Sequence, residues 1–298
     1  MRAVSAGRRP ARAARVFLRF GSTFGSGRIK GRAKPERGSG FGREACMPVV
    51  SDVAVVLRRI EYSETSQVLG LFTRGHGQAR VIAKGAKRST RSRFSPGIDL
   101  LEEGQVSFSM RTDRSEGLST LTEWKQTRSF GGLREKLERL AAGQYVAETT
   151  LMMTVEGDAH ALLYDALTSA LQSLCDGAAV LETTTGYQRA LLESAGAWPR
   201  LDACVVCGRG SGLTYFSSLE GGMVCRDCEG VRVEKRVVAG PTLEMLRRLE
   251  CGGDAGSSGG EEVLVRMFDV LDYHIAHLAG REATSASMLV PSGRRRVT

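Results

Sequence analysis

The sequence predicts an α+β chain in which a small β-barrel is followed by a mostly α-helical domain with an inserted cysteine-rich module. Three observations support this prediction: short alternating runs of β-branched residues from residue 49, apolar residues at helical spacing after residue 124, and two Cys-x-x-Cys pairs in the helical part. With 298 residues, 42% of them hydrophobic, the chain is long enough to bury a core in more than one domain.

The first 46 residues differ in composition from the rest of the chain. They hold 12 of the 42 Lys and Arg residues but only two of the 33 acidic residues, so they account for the formal net charge of +9. Rich in Arg, Gly and Ser and without an apolar period, residues 1–46 are predicted to be a disordered basic extension. Three interpretations remain open: a nonspecific phosphate-binding arm, a targeting peptide, or upstream sequence added by a start site assigned too early. The last is favoured, because strand-like patterning begins directly after Met47.

Short β-strands are predicted from residue 49 onwards. They occupy residues 53–60, 68–73, 79–83, 105–110 and 118–122, and Gly-His-Gly at 75–77 forms a tight connection between the second and the third. Five strands in about 75 residues fit an OB-fold barrel, although an SH3-like barrel has a similar strand count. We therefore predict a five-stranded OB-fold β-barrel over residues 47–125. For Phe72, Phe94 and Phe108, the barrel core is favoured over a base-stacking surface.

One stretch of the predicted barrel contains basic residues but no acidic ones. No acidic residue occurs between Thr65 and Ile98, and signs usually alternate on a surface that is merely solvated. The pattern indicates a strand that runs into a flexible basic loop able to follow a sugar-phosphate backbone, with a solubilising loop as the alternative. The basic residues of this stretch are Arg74, Arg80, Lys84, Lys87, Arg88, Arg91 and Arg93.

Helical spacing begins after Trp124 and predicts a helical domain over residues 126–298. The predicted helices cover 133–152, 162–174, 187–194, 241–250 and 261–278, with a flexible Gly/Ser link at 252–260. His274 and His277 are expected on a helix surface. Nothing approaches the roughly 20 consecutive apolar residues of a membrane-spanning helix, so no membrane span is expected.

The strongest motif consists of two Cys-x-x-Cys knuckles, Cys204/Cys207 and Cys225/Cys228. A two-residue spacer lets both sulfurs of a knuckle reach one metal ion, and the intervening runs 213–216 and 222–224 predict a small hairpin. Four protein sulfurs leave no open coordination position, so the motif predicts one structural Zn²⁺ in a zinc-ribbon module at about residues 200–232. Disulfide pairing is the alternative.

Catalytic motifs are not recognisable in the sequence. The four histidines are scattered, residues 208–212 lack the lysine of a P-loop, and neither an acidic two-metal cluster nor a serine nucleophile elbow is seen. We therefore expect a protein that is not an enzyme. A nucleic-acid enzyme with a dispersed site and a zinc-ribbon scaffold that binds only proteins remain as alternatives.

In combination, these motifs resemble the RecO family of DNA repair proteins over about residues 49 to 285. The resemblance covers both the predicted barrel and the helical part, whereas residues 1–46 and the last few residues fall outside it. It is carried by residues 62–66, 71–77, 83–88, 92–94, 204–207, Phe216, 221–222, 225–228, 273–274 and 278–281.

The resemblance implies a mediator of DNA repair and homologous recombination that acts at DNA damage in the cytoplasm, at the bacterial nucleoid. It implies binding of single-stranded and double-stranded DNA, annealing of complementary strands, contact with the acidic C-terminal tail of single-stranded DNA-binding protein, and cooperation with RecR in loading RecA. It further implies that Lys84, Lys87, Arg88, Arg91 and Arg93 are the principal DNA contacts, supported by Arg74 and Arg80.

Overall fold

The computed structural model describes residues 48–86, 94, 98–109, 118–231, 234–253 and 260–290. The predicted basic extension at 1–46 and most of the predicted link at 252–260 lie outside these ranges. The same is true of four residues of the predicted basic loop, namely Lys87, Arg88, Arg91 and Arg93.

Five strands close into a barrel in the order β1-β2-β3-β5-β4. Antiparallel pairing of β1 with β4 and a short parallel pairing of β3 with β5 complete the ring. All five predicted strands are present, and the closed barrel confirms the predicted OB-fold class. The strands are β1 Val49–Glu61, β2 Gln67–Thr73, β3 Gly77–Ala83, β4 Glu103–Ser109 and β5 Ser119–Arg128.

The strands β1 and β5 are each five residues longer than predicted, whereas β2, β3 and β4 are longer by only one or two residues. The start of β1 and the end of β5 both pair with β4, which places Val49 opposite Ser109 and Arg128 opposite Glu103. Ladder hydrogen bonds to β4 extend both strands beyond the alternating pattern from which they were predicted. The predicted domain boundary between residues 125 and 126 stays a prediction.

The three phenylalanines have different surroundings. Phe108 belongs to the barrel core and Phe94 is partly buried against it, as predicted. Phe72 is fully buried on the outer side of the barrel, where its ring centroid lies 6.2 Å from that of Tyr164 in the helical part. The favoured core position therefore holds for Phe108, whereas Phe72 is buried because the helices pack on that side of the barrel.

In the described part of the chain, six α-helices follow a short 3₁₀ helix at Gly131–Glu135. Together with the outer side of the barrel they form one apolar cluster. The approach is close at Gly143, where an added Cβ would lie 2.9 Å from Leu101 Cδ1 of the barrel. The helices are α1 Leu137–Met153, α2 Ala161–Cys175, α3 Val180–Ser194, α4 Gly240–Glu250, α5 Gly260–Ala279 and α6 Ala286–Leu289.

The third helix begins at Val180 rather than at residue 187 as predicted. Its first turns contain three consecutive threonines, which have low intrinsic helix propensity. The hydroxyls of Thr183 and Thr184 donate to the carbonyls of Ala179 and Val180, and Thr184 is buried. Tertiary burial and these local bonds therefore extend the helix beyond its apolar pattern.

The cysteine-rich module contains a three-stranded sheet in the order β7-β6-β8. The strands β6 Leu213–Ser217 and β7 Gly222–Cys225 form the predicted hairpin, and β8 Arg236–Val237 adds a strand too short to be recognised from its sequence. Among the helices that the structure describes, none combines the length and the apolar character needed to cross a membrane.

Candidate nucleic-acid interface and cysteine centre

Strand register brings cationic and apolar side chains onto one outer face of the barrel. One row across β1, β2 and β3 contains Arg58, Gly70 and Arg80, and the next contains Ile60, Val68 and Ile82. Val81 and Ala83 are buried in the barrel core, so the residues that alternate with them on β3 point outward. We call this surface the open barrel face. It consists of Arg58, Ile60, Tyr62, Val68, Gly70, Arg80, Ile82 and Lys84.

The open barrel face is accessible to a ligand. Tyr62 is 66% exposed and Ile60 is 44% exposed, and Val68 and Ile82 are half-buried. Lys84 directly follows the end of β3 and is exposed. Cations beside an apolar and aromatic surface are the combination that binds a single strand, because the cations contact phosphates while bases stack on the flat side chains.

Gly70 keeps the centre of the first row free of a side chain. Its neighbour across the strand pair is so close that an added Cβ would lie 3.1 Å from the Cβ of Arg58. The row therefore presents two guanidinium groups, those of Arg58 and Arg80, on either side of a glycine.

The predicted DNA-binding residues that the structure describes fall into two groups. Lys84 has no ion-pair partner among the described residues. Arg74 and Arg80 are exposed, but each forms an ion pair with a carboxylate of the helical part, Arg74 with Asp165 and Arg80 with Glu156. The absence of acidic residues in the surrounding sequence therefore did not predict unpaired charge at these two positions.

Two residues of the open barrel face were missed by the sequence analysis. Arg58 is exposed and has no ion-pair partner in the described part of the chain, whereas the adjacent Arg59 bonds to Asp99 at 2.7 Å. Arg58 lies within a predicted strand, so its face could have been assigned by alternation once the barrel core was known. Tyr62 belongs to the stretch 62–66 that carries part of the family resemblance, but its sequence context alone does not indicate a role in DNA binding.

The four predicted cysteine ligands meet at one point. Their sulfur atoms all lie within 4.8 Å of one another, and the sulfurs of Cys207 and Cys225 are 3.7 Å apart. Tetrahedral zinc with Zn–S bonds of about 2.3 Å requires sulfur separations of about 3.8 Å, so the donor set fits this ion. Cys204 and Cys207 precede β6, Cys225 ends β7, and Cys228 lies in a 3₁₀ helix at Arg226–Val231.

Hydrogen bonds within the cysteine cluster shift the pKa values of Cys204 and Cys228 in opposite directions. Burial opposes ionisation of Cys204, but bonds from the backbone N–H groups of Cys207, Cys225 and Val206 lower its pKa to about 6. Hydrogen bonds to the sulfurs of Cys225 and Cys207 raise the pKa of Cys228 to about 12. A divalent ion held by the four sulfurs would favour the thiolate form of its ligands, because metal binding releases thiol protons.

The cysteine module is fixed to α5 through His274. Nδ1 of His274 lies 2.7 Å from Ser218 Oγ, and its Nε2 lies 3.0 Å from the carbonyl oxygen of Ala197. The residue is only 2% exposed, and burial lowers its pKa. The prediction that His274 lies on a helix surface was therefore wrong, because the module packs on that side of α5. His277 is exposed as expected.

A second contact between the module and α5 surrounds Glu234. Its carboxylate accepts hydrogen bonds from Ser217 Oγ at 2.8 Å and from the backbone N–H of Ser218 at 3.1 Å, and it also bonds to the hydroxyl of Tyr273 on α5. Arg236 of β8 bonds to Asp269 of α5 at 2.8 Å. The sheet of the module is thus joined to the helix by several polar contacts.

Comparisons with known proteins agree with these features in both parts of the chain. The family described as "Recombination protein O N terminal" matches residues 47–130, and "Recombination protein O C terminal" matches residues 134–286. A DNA repair protein RecO of Rubrobacter xylanophilus is 36% identical over 249 residues, which cover 80% of this chain and 94% of that protein. A DNA repair protein RecO of an Anaeromyxobacter species is 31% identical, covering 79% of this chain and 95% of that protein. The chain therefore belongs to the RecO family of DNA repair proteins, with a role in DNA repair and recombination.

Proposed function

We propose that this chain is a recombination mediator that binds single-stranded and double-stranded DNA through the open barrel face and the basic loop that continues from Lys84. The observation that carries the proposal is the exposed row of cations and apolar side chains on β1, β2 and β3, directly beside the first residue of that loop. The principal contacts would be Lys84, Lys87, Arg88, Arg91 and Arg93, together with Arg58.

The proposed mechanism needs charge and surface but no bond cleavage. Cationic side chains neutralise phosphates, and release of condensed counterions supplies much of the binding free energy. Two complementary strands can then approach each other with reduced repulsion and anneal. The exposed ring of Tyr62 would stack on a base, which holds a strand without reading its sequence. We therefore infer a mediator rather than an enzyme.

We further propose that Cys204, Cys207, Cys225 and Cys228 hold one structural Zn²⁺. Four thiolates with tetrahedral spacing support this proposal, and the ion would cross-link the two knuckles of the module. The residues of the module then position β6 and β8 against α5 through His274, Glu234 and Arg236. The metal would stabilise the fold and take no part in DNA chemistry.

A groove beside α1 supports the proposed contact with the acidic tail of single-stranded DNA-binding protein. The groove, about 410 Å³ in volume, is lined by apolar side chains, among them Leu57 and Leu151, by Arg58, and by Arg281, which lies 3.6 Å from Glu148 of the same groove. The guanidinium group of Arg58 would attract the carboxylates of an acidic peptide, and the apolar walls would pack against any apolar side chains that it carries. Together with RecR, such docking would let the chain load RecA at the nucleoid.

The proposed DNA-binding role is tested by neutralising the basic loop. Replacing Lys84, Lys87, Arg88, Arg91 and Arg93 by Gln should weaken binding to single-stranded DNA and abolish annealing. If the loop makes three to five phosphate contacts, the slope of log affinity against log salt should flatten by roughly 2 to 3.5 units, at about 0.7 per contact.

A matched variant controls for net charge. Lys136, Arg189, Arg200, Arg248 and Arg266 are cations of the helical part, and their replacement by Gln removes the same formal charge. This control should keep most of the affinity and the annealing activity, and both variants should keep the parental melting temperature and metal content. Equal losses in the two variants would contradict the proposed interface.

A further inference from the structure

The connection between β2 and β3 is fixed to the segment that joins α1 and α2. Gly77 has a φ of +66°, and an added Cβ would lie 1.8 Å from the carbonyl oxygen of Asp158. The side-chain amide of Gln78 donates to the carbonyl oxygens of Leu151 at 3.1 Å and Thr154 at 2.9 Å. The backbone N–H of Gly157 donates to the Gln78 carbonyl at 3.1 Å. These contacts hold the hairpin against the helical part without help from charged groups.

Two carboxylates of the helical part bind the arginines on either side of this connection. Arg74 donates from Nε and Nη2 to the two oxygens of Asp165 at 3.0 and 2.9 Å, and Arg80 donates from Nε to Glu156. The bond from Arg74 lowers the pKa of Asp165, which keeps that carboxylate ionised. A guanidinium group binds carboxylate and phosphate with the same pair of N–H donors. The two acids therefore occupy donors that a DNA backbone would use.

The ion pairs are poor candidates for a purely structural role. All four side chains are about half exposed, between 49% and 59%, and ion pairs of this exposure contribute little to stability. The hairpin is already fixed by the backbone contacts of Gly77 and Gln78. By contrast, Arg58 and Lys84, on the same open barrel face as Arg80, have no ion-pair partner among the described residues.

We propose that Glu156 and Asp165 set the DNA affinity of the barrel by holding Arg80 and Arg74 in ion pairs, where they act as internal competitors of the DNA phosphates. The inference rests on the proposed DNA-binding function and adds residues of the helical part that act on it without touching DNA. Because the competition is electrostatic, it predicts a change in salt dependence that a structural role would not produce.

The test is a double variant, Glu156→Gln with Asp165→Asn, compared with the unaltered full chain in binding to single-stranded DNA. Two released arginines should steepen the slope of log affinity against log salt by up to about 1.4 units, and should raise the affinity at low salt by roughly tenfold. The melting temperature should be nearly unchanged. Each single variant should give about half of the change in slope.

The matched control is Glu193→Gln with Glu244→Gln. Both glutamates are exposed and paired with an arginine four residues away on α3 or α4, so the control loses the same two negative charges without releasing Arg74 or Arg80. It should reproduce only the general effect of net charge. An affinity and slope equal to those of this control would overturn the inference, as would a fall in melting temperature without any gain in affinity.

A second set of variants separates this inference from the proposed function. Arg74→Gln with Arg80→Gln should remove the gain in affinity and in salt slope in the Glu156→Gln, Asp165→Asn background, and should therefore cost that background more affinity than it costs the unaltered chain. If the two arginine substitutions reduce affinity equally in both backgrounds, the ion pairs do not keep the arginines from DNA and the inference fails. No detectable binding by the unaltered chain at low salt would instead refute the proposed function.

Discussion

The cysteine centre and the open barrel face differ in the sequence distances that build them. The two knuckles are separated by a single hairpin, and their four sulfurs meet because β6 and β7 pair. By contrast, Arg80 and Arg74 of the barrel bind carboxylates that lie 76 and 91 positions further along the chain, in the helical part. No local sequence pattern connects these partners. A motif that contains its own partners can be recognised in a sequence, whereas the availability of a charge depends on what the fold brings against it.

The largest effect is expected at the cysteine centre. Cys225→Ser should remove the metal and destabilise the module by more than about 4 kcal/mol, since loss of a structural metal belongs to the most severe classes of substitution. Metal content by atomic emission and the melting curve by circular dichroism would measure it. Cys251→Ser is the control, because Cys251 is exposed and distant from the cluster in sequence. Full metal content in Cys225→Ser would show that the motif is not the ligand set.

A smaller effect is expected where the module meets α5. Burial lowers the pKa of His274 below its ordinary 6.5, so the folded state favours the neutral ring. The unfolded chain takes up the proton first, and the stability from this residue, complete above pH 6.5, is lost as the pH falls below that value, by at most about 1.4 kcal/mol per pH unit. His274→Gln should lower stability at pH 7 but flatten its decline between pH 7 and pH 5. Chemical denaturation at several pH values would measure this, and parallel declines would contradict it.

On the barrel side, the aromatic ring of the open barrel face is the next position to alter. Tyr62→Ala should weaken single-stranded DNA binding by about 1 to 3 kcal/mol, the range for loss of one stacked base, with an unchanged salt slope because no charge is removed. Tyr62→Phe keeps the ring and should bind normally. Fluorescence anisotropy with a labelled oligonucleotide would measure both. A Tyr62→Ala variant with parental affinity would exclude stacking at this position.

The smallest effect separates two adjacent arginines of β1. Arg58→Gln should flatten the salt slope by about 0.7 units, because Arg58 has no ion-pair partner among the described residues and its guanidinium group can contact a phosphate. Arg59→Gln should flatten it less, because Arg59 is already bonded to Asp99 at 2.7 Å. The same anisotropy titration at several salt concentrations compares them. Equal slopes in the two variants would show that ion pairing within the fold does not decide which cation binds DNA.

Much of the fold could be predicted from local patterns, and the exceptions share a cause. The barrel strands and four of the longer helices follow from alternation and helical spacing, whereas the first half of α3, the two-residue β8 and the ends of β1 and β5 depend on tertiary neighbours. The cysteine cluster was predictable from its spacing. The burial of His274 was not, because its partners Ser218 and Ala197 lie 56 and 77 positions away.

The same limit applies to the candidate DNA interface. The cluster of basic residues was visible in the sequence, but which of them face a ligand depends on register and on ion pairs. Register places Arg58 in the row of Arg80, and folding gives Arg80 a carboxylate partner while Arg58 has none among the described residues.

The central claim is that DNA contacts the barrel rather than the helical part or the cysteine module. Photochemical cross-linking of the full chain to a single-stranded oligonucleotide, followed by mass spectrometry of the cross-linked peptides, tests it most directly. The account predicts cross-links within residues 58–62 and 80–94, with Tyr62 among them, and their loss on competition with unlabelled DNA at low salt. Cross-links confined to residues 200–290 would contradict it.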